Sequence, residues 1–214
     1  SANIPLFNKL EEVSNETWRN IDKEKYPNID VQFWTYTDAP KGKQTYVDAD
    51  NHIIYIERDY TQNGFWHTFS KTIFAIRELK KLGIDYDYLI RTNNSTWINI
   101  PMLNEFLSYQ EDDSQIFAGR IYASFWSAFN LYAGGELMIL HKRNIDIIDT
   151  MSGDPLKFEE TVRSCDDNLI FGLWNKRLAN LKLRESDYLH SFDDGQLIQK
   201  DIDGLNIDFS QIAH

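Results

Sequence analysis

Cysteine is almost absent from this chain: Cys165 is the only one in 214 residues. A single thiol excludes a disulfide within the chain and a zinc site built from cysteines, and it is typical of a reducing compartment. The chain also lacks an apolar run of the roughly 20 residues that a membrane span needs, and it shows no signal peptide. We therefore predict a cytoplasmic protein without a membrane span, in which residues 1–214 form one domain, complete or excised from a longer protein.

Basic residues are scarce, with 22 Lys and Arg against 33 Asp and Glu, and the net charge is −11. Because phosphate contacts need clustered Lys and Arg, this balance argues against nucleic acid as the main partner. A glycine-rich phosphate loop of the G-x-G-x-x-G or Walker type is also missing, which argues against a nucleotidyltransferase. An acidic enzyme can still bind a nucleotide diphosphate if a metal or a few local donors neutralise it.

Strand and helix patterns alternate along the chain, which predicts an α/β domain. The clearest helix spans residues 65–82, where apolar residues recur every three or four positions and Gly83 follows as a stop signal. Other helices are predicted at 6–20, 101–109, 144–151, 158–163 and 167–177. Strands are predicted at 29–37, 52–57, 86–91, 116–120 and 136–141, with shorter strand-like pieces at 187–192 and 197–200.

A polar segment follows the strand at 86–91: Thr92, Asn93, Asn94 and Ser95. In open α/β sheets, ligands bind just beyond the carboxyl ends of the strands. Residues 92–95 are therefore predicted to lie at a ligand site.

Five segments occur in an order known from one group of enzymes. They are Thr17-Trp18, Lys71-Thr72, RTNNSTWIN at 91–99, YAGGELMIL at 132–140 and CDDNLIFG at 165–172. They resemble T-W, L-K-T, K-T-D-D-D-x-F-x-N, Y-x-G-G-x-G-Y-x-L-S and D-D-x-x-x-G of the fringe and β-1,3-galactosyltransferase-like families, which include small bacterial and viral relatives. The resemblance implies a single GT-A-type domain, in which helices flank a central mixed, mostly parallel β-sheet.

The resemblance also implies a glycosyltransferase that moves a sugar from a UDP-sugar donor to a hydroxyl of a glycan or small-molecule acceptor, with Mn²⁺ or Mg²⁺ as cofactor. The family's carboxylate triplet, which holds this metal, reads Asn93-Asn94-Ser95 here. Hard cations prefer carboxylate oxygens, so metal binding by Asn93 or Ser95 stays open, with His190 and His214 as further candidates. The D-x-D at Asp85 and Asp87 lies at the wrong end of its strand to replace the triplet.

Sugar transfer requires a base for the acceptor hydroxyl and stabilisation of the leaving diphosphate. The resemblance favours Asp167 as the base, with Asp166 beside it, although adjacent acids also suit an ordinary helix N-cap. For the donor, Lys71 and Arg91 could balance the diphosphate charge, and Gly134-Gly135, before a strand, could let the backbone approach closely. Phe125 and Trp126 lie in the loop expected on the acceptor side.

A second reading belongs to another class of protein: a catalytically silent module that binds a glycan or a nucleotide, motivated by the missing carboxylates. The catalytic reading depends on one spatial prediction, that Asn93 and Asp167 converge on the same cleft.

Overall fold

The computed structural model describes residues 5–57, 67–93, 96–109, 116–124, 130–162 and 182–184. Its elements, in chain order, are α1 (Pro5–Glu16), β1 (Thr35–Asp38), β2 (Tyr46–Asp48), β3 (Ile53–Ile56), α2 (Thr68–Lys81), β4 (Tyr88–Thr92), α3 (Ile100–Ser108), β5 (Ile116–Ser124), β6 (Asn130–His141), α4 (Lys142–Ser152), α5 (Pro155–Val162) and β7 (Lys182–Arg184). None of the helices in these ranges has the length and apolar character to cross a membrane.

The strands form two small sheets rather than the predicted single central sheet. Their orders are β1-β3-β2 and β4-β6-β5-β7. Only β1 with β3 and β5 with β7 are parallel, whereas the other three pairings are antiparallel. Short connections from β2 to β3 and from β5 to β6 explain two of the three antiparallel pairings, because parallel neighbours need a long crossover. The mixed α/β class is confirmed, and the mostly parallel sheet is wrong for the described strands.

Element positions agree best where the sequence is periodic. The predicted helix at 65–82 is α2, and Gly83 ends it with a φ of 72°. The Gly83 N–H donates to the Lys80 carbonyl at 3.0 Å, and the Ile84 N–H donates to the Leu79 carbonyl at 3.1 Å, the pair of bonds that closes many helices. The strand predicted at 29–37 is much shorter, since only Thr35–Asp38 pairs with a neighbour. The strands β2 and β7 were not predicted.

Helices cover both faces of the larger sheet, and β6 shows why. Its side chains alternate, as strand geometry requires. Leu137 and Ile139 pack with α3 in one cluster, whereas Met138 and Leu140 pack with α2 and α4 in another. A near-continuous apolar run is expected for a strand buried on both sides.

The helix α2 contacts both sheets. Phe69, Ile73 and Ile76 are at most 1% exposed and pack with Met138 and Leu140 of β6. On the smaller sheet, Ile54 and Ile56 pack with Ala75 and Leu79 of the same helix. A single helix therefore holds β3 and β6 against one apolar surface.

Strand β5 is irregular at Gly119. Its φ of 151° is unfavourable for residues with a side chain, and a Cβ there would lie 2.3 Å from the Leu137 carbonyl oxygen. The pairing of β5 with β6 changes register between Gly119, opposite Met138, and Ile121, opposite Ala133. More residues of β6 than of β5 lie between these two pairs, so β6 bulges there.

Candidate functional site

The carboxyl end of β4 is held to β6 by side chains as well as by the strand ladder. Thr92 pairs with Leu137 in the ladder. The hydroxyls of Thr92 and Thr96 each donate to the Glu136 carbonyl oxygen, both at 2.9 Å. The Thr96 N–H also donates to the Asn93 carbonyl at 3.1 Å.

Arg91 connects the same two segments. Its Nη1 donates to the Asn93 Oδ1 at 2.8 Å and to the Gly135 carbonyl oxygen. Both acceptors are neutral oxygens, and the two bonds orient the guanidinium. We call Arg91, Thr92, Asn93, Thr96, Gly135 and Glu136 the β4-end cluster.

The predicted placement of Gly134-Gly135 needs a correction. They were expected just before a strand, but they lie inside β6, which begins at Asn130. The reason is the bulge opposite Gly119. On its amino-terminal side β6 continues, and Ala133 and the residues before it pair again with β5. The bulge brings the Gly135 and Glu136 carbonyls to the side chains of the β4-end cluster.

Lys71 lies at the carboxyl end of β1 rather than in the β4-end cluster. Its Nζ is 2.6 Å from the Asp38 Oδ1, and the two side chains are 18% and 22% exposed. The hydroxyls of Tyr36 and Thr72 are 3.0 Å apart beside this pair. Asp38 directly follows the strand predicted at 29–37, the same kind of position that led to the ligand-site prediction for residues 92–95.

A buried carboxylate occupies the start of α2. Glu159 of α5 is 4% exposed, and its Oε1 accepts from the Ser70 N–H at 2.8 Å. Its Oε2 lies 2.5 Å from the His67 Nδ1. A helix N-terminus attracts anions, and here a side chain of the protein fills that place. No local pattern could have predicted this contact, since Glu159 lies 89 residues from Ser70 along the chain.

A cleft of about 560 Å³ lies between β1 and β4. Residues 28–36 line one side and 84–92 the other, so Arg91 and Thr92 contribute to it from the β4-end cluster. Trp18, Trp34 and Tyr36 add aromatic surface. Its volume and mixed lining are typical of small-molecule sites.

Asn93, the described part of the proposed metal position, is already hydrogen-bonded within the protein. Asn93 Oδ1 already accepts from a guanidinium, and a metal bound to that oxygen at about 2.1 Å would lie within about 5 Å of this positive charge. Within the ranges that the structure describes, no three His, Cys, Asp or Glu residues cluster as metal ligands. Asp85 pairs with Lys142 at the amino end of β4, as its sequence position predicts.

The remaining predicted site residues lie outside the described residues: Asn94, Ser95, Phe125, Trp126, Asp166, Asp167, His190 and His214. The convergence of Asn93 and Asp167 on one cleft therefore stays a prediction. Of the donor-side candidates that are described, Arg91, Thr92, Asn93 and Gly135 come together, and Lys71 pairs elsewhere.

The chain was also compared with known proteins. No protein-family model matches it, and no curated protein matches it.

Proposed function

We propose that this chain is a glycosyltransferase that moves a sugar from a UDP-sugar donor to a hydroxyl of a glycan or a small molecule. The β4-end cluster carries the proposal. Two of the five segments on which the family resemblance rests, RTN at 91–93 and GGE at 134–136, are joined there by hydrogen bonds. Residues distant in sequence thus meet at the carboxyl end of a strand, where α/β sheets bind ligands.

The cleft beside the cluster supports the same function. Its volume is sufficient for a nucleotide sugar, and its aromatic walls suit flat bases and sugar faces. In the proposed reaction, Asp167 takes the proton of the acceptor hydroxyl, and the oxygen forms a bond to the anomeric carbon. The bond from that carbon to the diphosphate breaks, and UDP leaves with the electron pair. Trp126 and Phe125 are proposed to contact the acceptor.

The test measures UDP release from a panel of UDP-sugars, with and without acceptor glycans, for the native chain and for Asp167→Asn. We expect at least a hundredfold slower release from Asp167→Asn at an unchanged melting temperature, because the base is lost and the shape is kept. Asp50→Asn, at an exposed residue in the turn between β2 and β3, is the matched control. If no UDP-sugar is cleaved and no uridine nucleotide raises the melting temperature, the proposal is wrong.

A silent binding module is the second candidate, and the Arg91–Asn93 contact favours it. The amide oxygen that stands in the first carboxylate position is engaged by a cation within the protein. Nucleotide binding without any turnover, unchanged by Asp167→Asn, would identify the chain as such a module.

A further inference from the structure

Hydrogen bonds from the β4 end converge on the backbone beside one acidic residue of β6, Glu136. Its carbonyl oxygen accepts from the hydroxyls of Thr92 and Thr96, both at 2.9 Å. The preceding carbonyl, that of Gly135, accepts from the Arg91 guanidinium. Side chains of β4 and of the residues after it thus hold two consecutive carbonyls, and they fix the backbone from which the Glu136 side chain extends.

The bulge of β6 includes the same residue. Residues 134–137 lie between two ladder pairs that enclose a single residue of β5. A Cβ at Gly119 would lie 2.3 Å from the Leu137 carbonyl oxygen, so the two strands are in close contact beside the bulge. Bulges are frequent next to active sites, where they change the direction of a side chain. Glu136 is the one charged residue among 134–137.

Strand geometry puts the Glu136 side chain on the same face of the sheet as Arg91. Arg91 pairs with Met138, and residues directly opposite each other in an antiparallel pair share a face. Residues two apart along a strand share one as well, so Glu136 lies on the Met138 face. Met138 is fully buried, whereas Glu136 is half-buried. The acidic side chain therefore lies next to the predicted donor-side residues and within reach of solvent.

A carboxylate at this position suits the hydroxyls of a sugar better than the phosphates of a nucleotide. Its negative charge repels a diphosphate, whereas its oxygens accept hydrogen bonds from hydroxyl groups. The two oxygens together have about four acceptor positions, so a sugar hydroxyl can bind beside any contact that Glu136 makes within the protein. In a nucleotide sugar, the sugar is the uncharged part and carries several hydroxyls next to the diphosphate.

We propose that Glu136 binds a hydroxyl of the donor sugar and thereby selects which UDP-sugar the chain accepts. The inference rests on the proposed function, because it takes a UDP-sugar as the donor, and it adds the group that recognises the sugar. A carboxylate on a fixed backbone discriminates between sugars by the positions of their hydroxyls. An analogue without the bonded hydroxyl is rejected, because the protein group then stays unpaired in the complex.

The experiment compares UDP-sugar cleavage by the native chain and by Glu136→Gln, which keeps the shape and removes the charge. UDP release, with water as the acceptor, is measured for the best UDP-sugar of a panel and for its deoxy analogues, each lacking one sugar hydroxyl. We expect kcat/KM for the complete sugar to fall at least tenfold in Glu136→Gln. One deoxy analogue should cost the native chain at least tenfold and the variant less than threefold, because the hydroxyl and the carboxylate act through one contact.

Calorimetric titration of UDP is the control within the same protein. UDP carries no sugar, so its affinity should differ less than twofold between the native chain and Glu136→Gln. Glu105→Gln makes the same change at an exposed residue of α3 and should leave kcat/KM within twofold of the native value. Circular dichroism and melting curves establish that each variant folds. If Glu136→Gln does not, Glu136→Asp, which draws the carboxylate back by one methylene, should show the same loss of discrimination.

Three outcomes would overturn the inference, and they can be told apart. If a folded Glu136→Gln variant cleaved every donor at the native rate, Glu136 would not bind the sugar, and the proposed function would stand. If the variant were slower but discriminated against every deoxy analogue as the native chain does, Glu136 would have a structural role only. Absence of UDP binding and of UDP-sugar cleavage in the native chain would overturn the proposed function and this inference together.

Discussion

Strands β1 and β4 both line the cleft, and a cation lies at the carboxyl end of each strand. At β1, Lys71 meets a carboxylate, Asp38, at 2.6 Å. At β4, Arg91 meets an amide and a backbone carbonyl. The two cationic side chains therefore have different structural roles. The Lys71–Asp38 ion pair links α2 to β1, whereas the bonds from Arg91 link β4 to Gly135 of β6 and to Asn93.

The two ends also differ in what holds them. The β1 end depends on α2, whose first turn is fixed by a carboxylate from α5. The β4 end is bonded to β6 through the Gly135 and Glu136 carbonyls. The predictions below separate structural support at β1 from ligand binding at β4.

The largest effect is expected from Glu159→Ala. The change removes the acceptor of the Ser70 N–H and the partner of His67 in a buried setting, so the free energy of unfolding should fall by about 3 kcal/mol in urea denaturation. Glu105→Ala, at an exposed residue of α3, is the control and should change it by less than about 0.5 kcal/mol. A loss below about 1 kcal/mol for Glu159→Ala would mean that α5 does not anchor α2.

The ion pair with Asp38 predicts a structural role for Lys71. Lys71→Met should lower the free energy of unfolding by about 1 kcal/mol, because it breaks a partly buried ion pair. The same variant should change UDP affinity less than threefold in titration calorimetry. If Lys71→Met weakened UDP binding tenfold, the β1 end would belong to the donor site as well.

Thr96→Val tests the attachment of β4 to β6. Thr96 is 4% exposed, and valine keeps its shape but loses the bond to the Glu136 carbonyl. We expect a loss of about 1 kcal/mol in the free energy of unfolding. Thr161→Val, at an exposed threonine of α5 whose hydroxyl bonds within its own helix, should change it by a few tenths of a kcal/mol at most.

The smallest effect concerns pH and the opposite end of the β4–β6 pair. His141 Nδ1 accepts from the Arg143 N–H at 3.2 Å and so caps α4, which requires a neutral ring. Partial burial holds the pKa of His141 below its ordinary value. The cap is therefore fully effective above the unfolded-state pKa of about 6.5, and its contribution is lost as the pH falls through the lower folded-state pKa.

His141→Asn supplies a cap that does not titrate in this range. Urea midpoints measured between about pH 7.5 and pH 5 should therefore decline less for this variant than for the native chain. Equal declines would show that His141 protonation does not contribute.

Sequence patterns predicted the elements whose structure depends on residues close together in the chain. The apolar repeat of α2 and the stop at Gly83 located that helix closely, and the polar residues after β4 located the β4-end cluster. The strand predicted at 29–37 begins too early, because alternating apolar residues indicate burial and not hydrogen bonding to a neighbouring strand. Ile29, Val31 and Phe33 do pack against the α3 cluster, but the ladder begins only at Thr35.

Contacts between distant segments could not be read from the sequence. The Glu159 carboxylate reaches α2 across 89 residues, and nothing near it in the chain indicates a partner. The bulge of β6 depends on two strands together, so Gly134 and Gly135 were predicted to precede a strand rather than to lie within one. The division into two sheets is likewise a property of the assembled strands.

Gly119, Met138 and Arg91 lie abreast on three adjacent strands. A methyl group at position 119 would collide with the backbone of β6. The resulting shift of β6 would move the Gly135 carbonyl, which orients the Arg91 guanidinium. Selection for the charge at Arg91 would thus constrain a residue with no side chain, two strands away. Evolutionary constraint would then extend to Gly119, which a search for reactive side chains would not consider.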